Sequence, residues 1–169
     1  MPPKPGPAIF VKRLKGEEAV TVVILGDQVF GIWSHWQGKK SEPHFRDADT
    51  CPGCVARRPK RWKGYVHVYD YSANKEIFLE LTPHSAHQLH FALGRQSELR
   101  GERIRVARSK GDNGRLTVAV LTAEKKTEAL PRAKDPRPTI LKLWGIDQED
   151  PQGWLSEDHG EEENKRFSL

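Results

Sequence analysis

Two cysteines stand three positions apart in Cys51-Pro52-Gly53-Cys54, and two histidines precede them at His35 and His44. The resulting pattern, His-x8-His-x6-Cys-x2-Cys, places four soft or borderline ligands within one short stretch. Tetrahedral zinc is bound by thiolate sulfur and imidazole nitrogen in such sets, and Pro52-Gly53 can bend the chain so that both thiolates face one ion. The surrounding stretch, residues 37–62, has almost no apolar side chains to anchor it. A metal can hold a segment that hydrophobic burial cannot. The spacing therefore predicts a structural zinc ligated by Cys51 and Cys54, with His44 and His35 as partners and Asp47 or Asp49 as substitutes. A redox dithiol is the rival reading, but no βαβ pattern surrounds the pair. A catalytic zinc would need an open position and a general base, and no His-Glu-x-x-His motif is present. His84, His87 and His90 fall at three-residue intervals on an expected helix without an acidic or cysteine partner, and read as surface residues.

Directly after the cysteines come Arg57, Arg58, Lys60, Arg61, Trp62 and Lys63, five cations and one ring in seven positions. Cations that meet phosphates and rings that stack on bases are the combination used by single-strand binders. Tyr65, His67 and Tyr69 follow at alternate positions, on the strand face opposite Val66 and Val68. Phe78 stands on the next strand, and Arg103 and Arg105 alternate outward on a later one. All of these are candidate nucleic-acid contacts. The alternative for the rings is that they pack against the body of the domain.

Charge agrees with a polyanion partner. The 169 residues carry a net +5, but residues 147–169 hold eight acidic and two basic side chains, leaving +11 on residues 1–146. The acidic segment is expected to compete with nucleic acid for the basic body, or to dock replication or recombination proteins. No apolar run approaches the roughly 18 residues of a membrane span. The first residues lack the apolar core of a signal peptide, so a cytoplasmic or nucleoid-associated protein without membrane contact is expected.

The elements that must position these residues follow from periodicity. A β-branched strand at 18–26 is followed by a second extended stretch from Gln28 to Trp36, which leads into a long loop, 35–62, that holds the metal set. Residues 64–71 and 76–81 alternate as a hairpin across a turn at 72–75. Thr82 and Pro83 open a helix that Gly94 ends. Strands at 101–108 and 115–122 complete the set. A mainly β fold is expected over residues 8–122: a five-stranded Greek-key barrel of the OB type, with the helix between strands 3 and 4 and the zinc-stapled loop between strands 1 and 2. Residues 1–7 read as a disordered lead, 123–146 as a linker with a short docking helix near 139–145, and 147–169 as an acidic tail.

The segments Gly64–Asp70, Ile77–Thr82 and Leu99–Arg108, behind a His…Cys-x2-Cys loop, resemble the zinc-containing single-stranded DNA-binding proteins of phages and mobile elements. The resemblance is one of pattern and covers roughly residues 18–122. It implies an OB fold, zinc in the loop between strands 1 and 2, and binding of single strands without strong sequence preference. The expected function is binding and protection of single-stranded DNA in replication, recombination or transposition. An RNA- or tRNA-binding OB module is the alternative. A nucleic-acid enzyme is the third reading, against which stands the lack of a clustered acidic metal site, so no catalytic residue is expected.

Overall fold

The computed structural model describes residues 10–45, 47–94, 99–110, 114–121 and 130–146, and the backbone of 155–156. In chain order the elements are β1 (Phe10–Lys12), β2 (Ala19–Ile24), β3 (Phe30–Trp36), β4 (Ser41–Pro43), α1 (Pro52–Val55), β5 (Lys60–Asp70), β6 (Lys75–Leu81), α2 (Pro83–Leu93), β7 (Arg103–Arg108), β8 (Leu116–Val120), α3 (Arg137–Leu143) and β9 (Leu155–Ser156). The expected lead at 1–7 and most of the acidic segment 147–169 lie outside the described residues.

The fold is mainly β, as the alternation predicts. Strand β5 is the longest and organises the sheet. Its first half pairs with β3, from His35 opposite Lys60 to Phe30 opposite Tyr65. Its second half pairs with β2 on the same side, Val23 opposite Tyr69 and Ile24 opposite Val68. The two extended stretches expected at 18–26 and 28–36 are β2 and β3, separated at residues 25–29 and bridged by β5. Strand β6 takes the other side of β5 over its last seven residues. The hydrogen-bonded path runs β1-β6-β5-β2-β7-β8, with β1 parallel to β6. This path is open. Among the described residues β8 pairs with β7 alone, and β1 occupies the edge of β6, so no pairing completes a closed five-stranded barrel.

One face of this sheet builds the main core. Val20, Val22 and Ile24 meet Trp62, Val66 and Val68, with Ile77, Leu79 and Leu81 from β6 and Ile104 and Val106 from β7. Each such side chain, fully buried, contributes about 1.5–3 kcal/mol. Helix α2 closes this core with Ala86 and Leu89. Its start is fixed as the sequence predicts: Ser85 N–H donates to Thr82 Oγ1, Thr82 N–H donates back to Ser85 Oγ, and Pro83 occupies the first turn. Trp62 lies flat across two paired glycines. A Cβ on Gly31 would sit 2.0 Å from Trp62 Nε1, and one on Gly64 would sit 2.3 Å from its Cη2. Only glycine leaves room for that indole.

The opposite face is covered by the chain's later residues. Arg100 donates through Nη1 to Leu25 O at 2.7 Å and through Nη2 to Pro131 O at 2.8 Å, which fixes the start of a strap over 130–146. The strap's Ile140, on α3, is buried against Ile32 and Tyr65. Trp144 Nε1 donates to Tyr65 Oη at 3.1 Å. The docking helix expected near 139–145 is thus present as α3, while 130–136, read as linker, lie along the sheet. No helix among the described residues is long and apolar enough to cross a membrane.

Candidate metal centre and flanking basic face

Three elements bring the metal set together. His35 is on β3, beside Glu42 of β4 in the β3–β4 hairpin. His44 follows that hairpin and is tied to it by its N–H, which donates to Trp33 O at 2.8 Å. Cys51 caps α1 and Cys54 lies within it, a single turn started by Pro52. The ligand atoms of His35, His44, Cys51 and Cys54 all lie within 4.8 Å of one another. Cys54 Sγ is 3.6 Å from His35 Nε2 and 3.4 Å from His44 Nδ1, and Cys51 Sγ is 3.5 Å from His44 Nδ1. His35 Nε2 and His44 Nδ1 are 2.9 Å apart. These four side chains can hold a metal ion.

The surroundings favour the ligating forms of His44 and Cys51 and oppose that of Cys54. His35 Nδ1 meets Arg58 O at 2.9 Å, so it carries the ring proton and leaves the Nε2 lone pair aimed at the cluster. Burial, Lys60 and His35 together push the His44 imidazole below its ordinary pKa, toward the neutral form. Burial raises the Cys51 thiol, but the backbone N–H groups of Phe45, Cys54 and Gly53 outweigh it, so the Cys51 pKa falls and the thiolate is favoured. Burial and the neighbouring Cys51 raise Cys54. Gly53 is required by closeness rather than by dihedral freedom: a Cβ there would meet His35 Cγ at 2.2 Å. The Cys-Pro-Gly-Cys turn rests directly on the His35 ring.

The cations after the turn are exposed. Arg57, Arg58, Lys60 and Arg61 all face solvent, and Lys63 is half-buried. Arg57 adopts a left-handed φ of +53°, with its N–H donating to Cys54 O at 2.9 Å. Lys60 Nζ lies 5.1 Å from the Trp33 ring centroid, and Lys63 Nζ 5.6 Å from that of Trp144. Registers across β3, β5, β2 and β7 put Arg61, Lys63, Tyr69, Arg103 and Arg105 on one sheet face, with Arg103 and Arg105 exposed.

The rings are placed differently from the expectation. Trp62, Tyr65, His67 and Phe78 are buried and present no face to a base. Trp62 points into the main core. Tyr65 lies under Ile140 and Trp144, and its burial, reinforced by Glu80, raises its phenol pKa. His67 packs on Phe78 with ring centroids 5.0 Å apart, its Nε2 3.2 Å from Glu76 and its Nδ1 accepting from Lys134 N–H at 3.4 Å. For Tyr65 and His67 the physical reason is the strap, which covers the second face of β5 over those two residues. Tyr69 is half-buried, donating to Asn74 Oδ1 and packed edge-on against exposed Tyr71. Two rings beside the cations of β5 are open instead: Trp36, 48% exposed beyond Arg61, and half-buried Trp144 beside Lys63. Trp36 carried a signal in the sequence, since it shares a strand face with Ser34, the partner of Arg61. Trp144 carried none, because its position depends on a docking contact 79 residues away in the chain. No protein-family model matches the chain, and neither a curated protein nor a solved structure does.

Proposed function

We propose that this protein binds and protects single-stranded DNA, with low sequence specificity, in replication, recombination or transposition, and that a structural zinc braces its binding face. The carrying observation is the row Trp36, Arg61, Lys63 and Trp144 on one face of β3 and β5, two accessible rings with two cations between them. Cations contact phosphates without reading sequence, and each stacked base contributes about 1–3 kcal/mol. A net +11 over residues 1–146 adds long-range attraction for any polyanion.

Zinc is the metal that the ligand set supports. Zn–S bonds near 2.3 Å and Zn–N bonds near 2.0–2.1 Å give tetrahedral S···N edges of about 3.6 Å. Three of the four S···N distances run from 3.4 to 3.6 Å, and all four ligand atoms lie within 4.8 Å of one another. The two histidine nitrogens would move from hydrogen-bond distance to about 3.4 Å around the ion. A full set of four protein ligands leaves no open position, which favours a structural over a catalytic ion, and the protein is read as a binder rather than an enzyme.

The OB-type reading rests on element order. Strands β2 and β3 together take the place of the first strand, α2 falls between β6 and β7, and the metal loop lies between the first strand and β5. That order supports kinship of pattern with the zinc-containing single-stranded DNA-binding proteins of phages and mobile elements. Residues 147–169, with their eight acidic side chains, have the charge to compete with DNA or to recruit a replication or recombination protein.

The test is fluorescence anisotropy on labelled single-stranded DNA, duplex DNA and single-stranded RNA of matched length and sequence, at two salt concentrations. Tightest binding to single-stranded DNA, weakening with salt, is expected. Stronger binding to duplex overturns the reading, and stronger binding to RNA replaces it with an RNA-binding module.

A further inference from the structure

A cleft of about 470 Å³ opens between the metal loop, the β3–β4 hairpin and the end of the strap. That volume falls in the range of about 300–1,000 Å³ typical of sites for small organic molecules. Its lining includes two aromatic residues, Phe45 from the metal loop and Trp144 from the strap. Its rim carries Gln37, Lys40, Ser41 and Glu42, which offer both hydrogen-bond donors and acceptors. Gly53 contributes backbone to the floor, where a side chain would collide with His35. Trp144 is shared with the cationic row, since Lys63 Nζ stands over its ring.

From this arrangement we infer that the cleft captures one unstacked nucleobase of the bound strand, whose phosphates run along Arg61 and Lys63. The inference rests on the single-strand reading above and adds a discrete base site to it. A flat heterocycle matches a lining that includes aromatic residues, and the mixed rim meets a base edge that presents donors and acceptors together. The charge decides the occupant. A neutral small molecule would gain nothing from the flanking row of cations, whereas a nucleotide in a strand places its phosphates there. The site also gives the metal a functional consequence, because Phe45 and Pro52–Gly53 stand where the metal loop holds them.

The probes are two strands of equal length, one wholly abasic and one abasic except for a single central thymine. Both carry the same phosphates, so their difference in affinity reads base capture alone. The wild-type protein is expected to bind the thymine strand roughly 5- to 150-fold more tightly, the effect of one stacked base. Phe45→Leu removes the ring but keeps the backbone N–H that meets Cys51. It is expected to bind the abasic strand as the wild type does and to lose the preference for thymine. Ser41→Phe, which fills the cleft from the hairpin, is expected to do the same, with metal content and thermal unfolding confirming that both variants are folded.

Equal affinity of the wild type for the two strands overturns the base site while leaving phosphate binding intact. A thymine preference that survives in both variants also overturns it, by placing the stacking elsewhere. Absence of binding to either strand at low salt overturns the single-strand reading, and the base site with it.

Discussion

At the scale of single residues the candidate metal cluster and the accessible tryptophans make separable demands. Cys54→Ser removes a thiolate from a four-ligand set, and the expected outcome is loss of bound zinc with the core of Val22, Val66 and Leu79 still folded. Elemental analysis and circular dichroism check the two halves of that statement. Gly53→Ala acts on the same site without touching a ligand. Its methyl group would have to displace the His35 ring, so the variant should lose about 1–3 kcal/mol, the usual cost of overpacking, and surrender zinc to a chelator sooner. The rings separate likewise. Trp36→Ala should weaken single-strand binding by about 1–3 kcal/mol. Tyr65→Phe keeps an enclosed ring but loses the hydroxyl that positions Trp144, so it should weaken binding less than Trp36→Ala does. It removes the acceptor of the Trp144 N–H and should lower stability by about 0.5–1.5 kcal/mol in denaturant unfolding.

Among the elements, the strap over 130–146 is one whose behaviour should depend on pH. Burial, with Lys134 and Arg100 adding to it, holds His67 below its ordinary pKa despite the opposing pull of Glu76. The neutral ring donates through Nε2 to Glu76 and accepts at Nδ1 from Lys134 N–H. Protonation removes that acceptor and sets a cation beside the Lys134 ammonium, which is itself 3.2 Å from Glu76. A group with a depressed folded pKa stabilises fully above its unfolded value, here about 6.5, and that contribution is lost as pH falls through the folded value. The wild type should therefore lose stability below about pH 6.5 relative to His67→Asn, measured at matched zinc occupancy so that His35 and His44 contribute equally to both.

The same element explains what the sequence could not convey. The ligand set was legible because four side chains of the right chemistry fall within 20 residues, and the helix because Thr82, Pro83 and Gly94 mark its ends. The faces of β5 were not. Alternation reads Val66 and Val68 as inward and Tyr65 and His67 as outward, which is correct for the sheet taken alone. What enclosed Tyr65 and His67 was Ile140, Trp144 and Lys134, packed from over 60 residues away. The open ends of the sheet were equally illegible, since the three-residue strand β1 is too short to carry a period, yet it takes the edge of β6.

Across the whole molecule, the hairpin that carries the candidate metal set, a long central strand and a strap from later in the chain converge on one basic face. That face, rather than the enclosed rings, is the centre of the account. The most direct test is the salt dependence of single-strand affinity for the wild type and for the Arg61→Gln, Lys63→Gln double variant, both checked for bound zinc. Each phosphate contact contributes about 0.7 to the slope of log K against log salt on single strands. The double variant should therefore bind with a slope shallower by about 1.4. An unchanged slope, with both proteins folded and zinc-loaded, would contradict the claim that the strand runs along this face.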